Sequence, residues 1–324
     1  MGHQDETESW KARGHEDNRE PTDDVGSHTS WLEKHPSALD GFEDMMMTSM
    51  AAAKGKKIVV LLDYDGTLSH IVPDPDQAFM TEAMRSAVDQ VANCFPTAII
   101  SGRRRDKVYD FVKLDNLCYA GSHGLDISTP SASSKYSNHK HQSRTTDGKG
   151  NESDVFRPAV DFLPTIKKIK KALEEEIKGI EGAMIEDNTF CISVHYRCVK
   201  EEKVDNLKGT VESFMKAYDN FRISEGKKVM EIRPKIDWDK GRALQYLLDT
   251  PDFGSSSNDV IPVFIGDDKT DEDAFKAIKT IGRGIPIVVS STPKETEASY
   301  SLRDPTEVMR FLLQLAKWME EGSV

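Results

Sequence analysis

Ile58-Val59-Val60-Leu61-Leu62, followed at once by Asp63-Tyr64-Asp65-Gly66-Thr67-Leu68, is the stretch whose reading decides the fold. The apolar run, largely β-branched, reads as a strand buried on both faces. Residues two apart on a strand point the same way, so Asp63 and Asp65 project together just past its carboxyl end. In open parallel α/β sheets that is where ligands bind. Two carboxylates crowded there repel one another unless a cation or a shared proton offsets the charge. Gly66 permits a sharp backbone turn around a small anion. A calcium loop of the EF-hand type needs glycine sixth and glutamate twelfth; here Gly66 is fourth and Asp74 twelfth. A plain strand-ending turn accounts for Asp65-Gly66 but leaves Asp63 unexplained.

Outward from this strand, the chain alternates. A helical pattern over Thr81–Phe95 places Met84, Val88, Val91 and Ala92 on one face, and strand Thr97–Ile100, helix Arg103–Leu114 and strand Leu117–Ala120 follow. Such alternation predicts a parallel α/β sheet with right-handed crossovers, a Rossmann-like core. The order then changes to helix Phe156–Lys178, strands Ala183–Asp187 and Thr189–Tyr196, helix Glu201–Tyr218, and strands Phe221–Ser224 and Lys228–Ile232. That is αββαββ, an α+β domain whose half-exposed strands set Cys191, Val194 and Tyr196 against Ser193 and His195. The first pattern returns in helix Asp239–Leu248, strand Val260–Ile265, helix Asp271–Ile278, strand Pro286–Val289 and helix Pro305–Met319. The expected organisation is a disordered acidic tail over 1–53, a core from 54–130 and 235–320, and an inserted domain over 131–234 that begins with a mobile loop at 131–154. Within the tail, Trp31-Leu32-Glu33-Lys34 and Met45-Met46-Met47 are candidate short helices or docking patches.

At 324 residues the chain can hold two domains with proper cores. A net charge of −12 argues against a dedicated nucleic-acid binder, and Arg103-Arg104-Arg105 is too short to reverse that. No stretch approaches the ~18 apolar residues of a membrane span. Cys94, Cys118, Cys191 and Cys198 are scattered without a Cys-x-x-Cys pair, which fits reduced thiols. The start of the chain lacks the apolar core of a signal peptide and is acidic for a transit peptide. A cytoplasmic monomer is the expectation, with nucleus or plastid as alternative compartments and a protein partner for the acidic tail left open.

Four further pieces follow strand ends of the core. Ser101-Gly102-Arg103 offers a hydroxyl where a helix begins, suited either to phosphate or to an ordinary N-cap. Gly121-Ser122-His123-Gly124 leads to the insertion, as a hinge or as a sugar or phosphate contact through His123. Lys240-Gly241 opens a helix; aimed at the strand ends, the lysine would neutralise a phosphoryl oxygen. In Gly266-Asp267-Asp268-Lys269-Thr270-Asp271-Glu272-Asp273, Thr270 and Asp273 resemble a capping box, while Asp267 and Asp268 repeat the carboxylate repulsion of the first pair. An all-oxygen set points to Mg²⁺ rather than Zn²⁺.

In order, Asp63-x-Asp65-Gly66-Thr67-Leu68, Ser101-Gly102-Arg103, Lys240-Gly241 and Gly266-Asp267-Asp268-x-x-Asp271 resemble the four motifs of the haloacid-dehalogenase-like phosphatases, and the insertion resembles their larger cap. Gly121-Ser122-His123-Gly124, Glu231-Ile232-Arg233-Pro234 and the Gly266–Phe275 segment are similar to trehalose-6-phosphate phosphatases; Pro75-Asp76-x-Ala78-Phe79-Met80 is similar to their plant branch. His70 departs from that branch, which commonly has proline there. The resemblance implies a phosphatase acting on trehalose 6-phosphate, with Asp63 as nucleophile and Asp65 as acid and then base. Ser101 and Lys240 would hold phosphate, and Mg²⁺ would be held by Asp63, the Asp65 carbonyl and Asp267, supported by Asp268 and Asp271. Glu231, Arg233, His123, Arg197 and Arg103 are the implied substrate contacts. Alternatives are a phosphatase for another phosphosugar, such as sucrose 6-phosphate, and a non-catalytic sugar-phosphate sensor.

Overall fold

A computed structural model describes residues 22–52, 55–130, 141–146, 152–254 and 256–322. Its core is built on β1 (Lys57–Leu62), in which every residue from Ile58 onward is buried. Alternation along β1 feeds two cores. Ile58, Val60 and Leu62 join a cluster with α3 (Glu82–Cys94), α4 (Arg105–Val112) and α9 (Pro305–Gly322). Val59 and Leu61 join a cluster with α7 (Lys240–Leu248) and α8 (Asp271–Ile281) on the other face. The same parity holds in β2 (Thr97–Ile100), where Ile99 faces one layer and Ala98 and Ile100 the other. A strand apolar at every position therefore sits between two helical layers, because both faces need cover.

The described residues of this sheet run in the order β13 (Tyr300–Leu302), β12 (Ile285–Val289), β11 (Val260–Gly266), β1, β2, β3 (Cys118–Gly121), β4 (Asp126–Pro130), β6 (Glu152–Phe156), β5 (Gln142–Thr146). Pairing is parallel from β13 to β3 and antiparallel beyond. Strands β1, β2, β3 and β11 end at one edge, which carries Asp63, Ser101, Ser122 and Asp267. Between β3 and α7 lies the second domain. Its antiparallel sheet has the order β7 (Met184–Asp187), β8 (Ile192–His195), β10 (Val229–Pro234), β9 (Phe221–Gly226), with α5 (Leu163–Glu176) and α6 (Glu201–Met215) contributing to a separate core. Ile192, Val194, Met230 and Ile232 pack into that core. Ser193, His195, Glu231 and Arg233 take the opposite parity and line the cavity facing the parallel sheet.

Three expectations change. The tail expected to be disordered through 53 carries helices α1 (Thr22–Lys34) and α2 (Phe42–Ala52), while residues 1–21 lie outside the described residues. Ala38, Phe42, Met45 and Met46 are buried in the main core, and Phe42 meets Phe311 edge-on at 5.6 Å. Burying each large side chain contributes about 1.5–3 kcal/mol toward the cost of ordering the segment. Part of the expected mobile loop is strand: β5 and β6 extend the core sheet, so the α+β unit begins after Phe156; residues 131–140 and 147–151 lie outside the described residues. Cys191 does not share a face with Val194 and Tyr196; with the parity of Ser193, it lies beside His123 and Glu231.

Candidate active site

Strand β1 delivers Asp63 to the sheet edge, where its backbone N–H donates to the Ile265 carbonyl of β11 (2.9 Å). Asp239 caps α7 by accepting from the Arg242 N–H (2.8 Å), so the helix starts with Lys240 directed at the sheet. Gly241 allows this approach: a Cβ there would stand 2.4 Å from the Asp273 carbonyl oxygen of α8. The Lys240 ammonium, 1% exposed, donates to Asp63 Oδ1 and to Asp271 Oδ1, both at 2.7 Å. Asp271 accepts on its other oxygen from the Asp268 N–H (2.9 Å). With both oxygens engaged, Asp271 anchors the lysine.

Asp267, at the end of β11, pairs through Oδ2 with Lys227 Nζ (2.5 Å), which reaches down from the β9–β10 turn. Asp63, Asp267 and Asp271, all buried, bring one carboxylate oxygen each within 4.8 Å of the others. Gly66, at φ 79°, keeps this place open: a Cβ there would stand 2.3 Å from Asp267 Oδ2. Asp268 is employed differently. Its Oδ1 accepts from the Thr270 N–H and hydroxyl (2.7 Å each) and from the Asp271 N–H (3.1 Å), closing the turn into α8. The expected Thr270–Asp273 capping box is replaced by this bond set, since the Thr270 side chain makes no cap bond.

Electrostatics follow from burial. It pushes the Asp63 carboxyl up to about 7, helped by Asp268 and Asp267 and opposed by Lys240. Burial raises Asp267 and takes Asp271 well above the usual range. Burial disfavours the Lys240 ammonium, yet Asp271 and Asp63 hold its pKa well above the ordinary value. Asp268 is depressed because Lys240 and the Thr270 bond outweigh its burial. Four carboxylates thus face the two ammoniums paired with them, Lys240 and Lys227. A hard divalent cation fits this oxygen donor set, with Asp63 and Asp267 best placed to hold it.

Asp65 is oriented by Arg103, which forks its carboxylate with two bonds of 2.7 Å and donates to the Pro75 carbonyl (2.7 Å). Arg103, expected to touch substrate, lines the cavity and in this structure directs these donors to Asp65 and Pro75. Ser101 is buried, its hydroxyl accepting from the Arg103 N–H (3.1 Å). Ser122 and His123 adopt left-handed φ of 51° and 57°. This strained turn directs His123 to the insertion, where Nε2 meets Glu231 Oε1 at 2.8 Å. Burial holds the imidazole below its ordinary pKa, against the opposing pull of Glu231. Arg233 stands 3.7 Å from Glu231 and donates to Ser224 Oγ (3.0 Å). Arg197 lines the same cavity from its exposed rim, where it donates to the Lys227 carbonyl (2.9 Å). The cavity, of about 980 Å³, reaches Asp63, Asp65, Lys240 and Asp267 on the core side and Glu186, His195, Lys227 and Glu231 on the other.

Against this geometry the comparisons are specific. A trehalose-phosphatase family model matches residues 61–306. A rice (Oryza sativa subsp. japonica) probable trehalose-phosphate phosphatase 3 is 54% identical over 287 residues, covering 89% of this chain and 76% of the relative. The maize (Zea mays) trehalose 6-phosphate phosphatase RA3 is 52% identical, covering 89% and 77%. The chain belongs to the trehalose-phosphatase family. Its fold is that of the Candida albicans trehalose-6-phosphate phosphatase C-terminal domain, with a TM-score of 0.67 at 20% identity over 85% of this chain and 97% of that one.

In this trehalose-phosphatase, several cavity residues escape a reading of the sequence. Lys227 was legible only as one of two lysines in a hairpin turn; its pairing with Asp267 requires the insertion to sit over the core. Glu186 accepts from Lys107 Nζ (2.5 Å) and His195 Nε2 (2.9 Å) and stands 3.6 Å from Arg103. Burial alone would raise its pKa, but His195, Lys107 and Arg103 bring it down to about 2. Asn188 latches the trehalose-phosphatase insertion to its core, accepting from the Arg104 N–H (3.1 Å) and, through its carbonyl, from the Ser122 hydroxyl. The alternating pattern predicts strands at Glu186 and His195 and leaves Asn188 and Lys227 between strands, while the pairing across domains has no local signal.

Proposed function

We propose that this phosphatase hydrolyses trehalose 6-phosphate to trehalose and phosphate with Mg²⁺. The observation that carries the catalytic half is the buried Asp63–Lys240–Asp271 group at the floor of a cavity whose opposite wall is polar. Asp63 is the nucleophile: a carboxylate oxygen attacks phosphorus, the bond to the sugar oxygen breaks, and an aspartyl-phosphate forms. Asp65, entering the step protonated, gives that proton to the departing sugar oxygen, and the Arg103 fork holds the carboxylate that results. It then takes a proton from the water that attacks the aspartyl-phosphate, restoring Asp63 and releasing phosphate. Lys240 and the Ser101 region offer positive charge and donors to the phosphoryl oxygens. Asp63 and Asp267, with the Asp65 carbonyl, would hold Mg²⁺, which supplies charge neutralisation at the phosphoryl group when bound.

The substrate assignment rests on the relatives, whose names specify trehalose phosphate. Glu231, His123 and Arg233 supply the polar groups a disaccharide would meet across the cavity from Asp63. Phosphate release from trehalose 6-phosphate, sucrose 6-phosphate and glucose 6-phosphate, with Mg²⁺ and with chelator, tests both halves. Preference for trehalose 6-phosphate is expected; equal or faster hydrolysis of sucrose 6-phosphate overturns the substrate assignment. Undiminished turnover by Asp63→Asn overturns the mechanism.

A further inference from the structure

Between β12 and β13 the chain crosses the catalytic edge in an irregular segment, residues 290–299, that lines the cavity with Lys294, Glu295, Thr296 and Glu297. Lys294 Nζ donates to the backbone carbonyl of Asp267 at 2.6 Å. This ammonium therefore fixes the peptide that carries a principal carboxylate of the site. A segment without helix or strand has no ladder of its own to hold it, so its position depends on what grips it from outside.

Part of the grip comes from the N-terminal segment, beside the Ser290 N–H to Leu302 O and Ser299 N–H to Pro286 O bonds (2.8 and 2.9 Å) and the Lys279–Glu297 pair (2.8 Å) from the core. Trp31 Nε1 donates to the carbonyl of Lys294 itself (2.7 Å), and His35 Nδ1 lies 3.0 Å from the Ala298 carbonyl. The two rings lie against each other with centroids 5.0 Å apart. Next along the chain, Ser37 bridges to Ser301 in parallel register, through Ala38 N–H to Ser301 O (2.9 Å) and Ser301 N–H to Pro36 O (3.0 Å). The Ser301 hydroxyl adds a bond to the His35 carbonyl (2.8 Å). Helix α2 then anchors the segment through Phe42, Met45 and Met46 in the main core. On the opposite side, the Glu297 N–H donates to Glu272 Oε2 (2.7 Å), next to Asp271.

We propose that residues 22–52 are a positioning strap for the active site, acting through Trp31 on Lys294 and through Lys294 on Asp267. The inference rests on the reading of Asp267 as part of the catalytic group. Trp31 and Lys294 are positioning residues: Trp31 fixes the Lys294 main chain, and the Lys294 side chain fixes the Asp267 carbonyl.

Trp31→Phe keeps an aromatic ring and removes the N–H. The loss of one partly buried hydrogen bond predicts a fall in kcat of about tenfold for trehalose 6-phosphate with KM unchanged within about twofold. Amide hydrogen exchange over 292–298 should accelerate in the same variant while α9 keeps its protection. Lys294→Met should lower kcat at least as far. The Trp31→Phe/Lys294→Met double variant should be no slower than Lys294→Met alone within about twofold, because both act on one chain of contacts. Additive losses in the double variant overturn the relay, as does unchanged exchange in Trp31→Phe. Faster exchange with unchanged kcat also overturns it, since the loop's position would then not govern the chemistry. If the wild-type chain hydrolyses no phosphosugar, the functional reading fails, while exchange still decides whether Trp31 holds the loop.

Discussion

Lys240→Met is the sharpest perturbation. The ammonium is 1% exposed and lies 2.7 Å from each of Asp63 and Asp271, whose side chains are 6% and 0% exposed. At an effective dielectric of ~20, each contact carries a Coulomb attraction of about 6 kcal/mol. Desolvating the ammonium takes back several kcal/mol, and removing one member of a buried pair typically costs about 3–5 kcal/mol. Against a total stability of about 5–15 kcal/mol that is a large fraction. Methionine keeps most of the side chain's length, so the loss is chiefly electrostatic. Turnover should fall by at least about 10²-fold, since the group that neutralises Asp63 and the incoming phosphate is gone. The assay is urea unfolding followed by circular dichroism, paired with phosphate release from trehalose 6-phosphate. Asp271→Asn, added to Lys240→Met, removes one orphaned carboxylate; more than half of the lost stability should return while activity does not. A Lys240→Met protein within about 1 kcal/mol of wild type would refute the buried-charge argument. So would a double variant no more stable than the single one.

Arg103→Lys should lower kcat by about 10–100-fold with little change in KM, because an ammonium cannot make the two-point fork that aims Asp65; steady-state kinetics decide it. Gly66→Ala should abolish turnover and lower the melting temperature, since its Cβ would stand 2.3 Å from Asp267 Oδ2 and its φ is 79°. Mg²⁺ should raise the melting temperature of wild type, by about 2.7 kcal/mol of stability at a hundredfold excess over Kd, and Asp267→Asn should lose most of that shift in a calorimetric titration. For Glu186 the folded pKa of about 2 lies below the ordinary 4.5, so its pairing stabilises the fold above the unfolded value and that contribution disappears as pH falls toward about 2. Acid unfolding of Glu186→Gln should therefore be less steep than wild type across that window.

Much of the catalytic edge was legible because its signals are local. An apolar run ending in Asp63-Tyr64-Asp65-Gly66 specifies a buried strand and a turn within a dozen residues, and Asp239 before Lys240 specifies a helix start. What was misread depended on distant partners. The segment before residue 53 is polar on average, yet Phe42, Met45 and Met46 find cover only against β-strands and α9 far along the chain. Strands β5 and β6 have little apolar content and hold together by pairing with each other and with β4, an arrangement no periodicity announces. Arg103 carried a motif position but no indication that its fork would close on Asp65.

By itself the sequence determined the order of elements, the strand ends that carry Asp63, Ser101 and Asp267, and the family to which those motifs belong. These follow from short-range rules of burial, turn geometry and spacing. Only the tertiary structure decided which charges meet. Lys240 lies between Asp63 and Asp271, Lys227 crosses from the insertion to Asp267, and Trp31 reaches the loop that holds Asp267 in place. Ion pairs and hydrogen bonds act over a few ångströms in space, across separations of tens to hundreds of residues in the chain, and that distance is set when the layers pack.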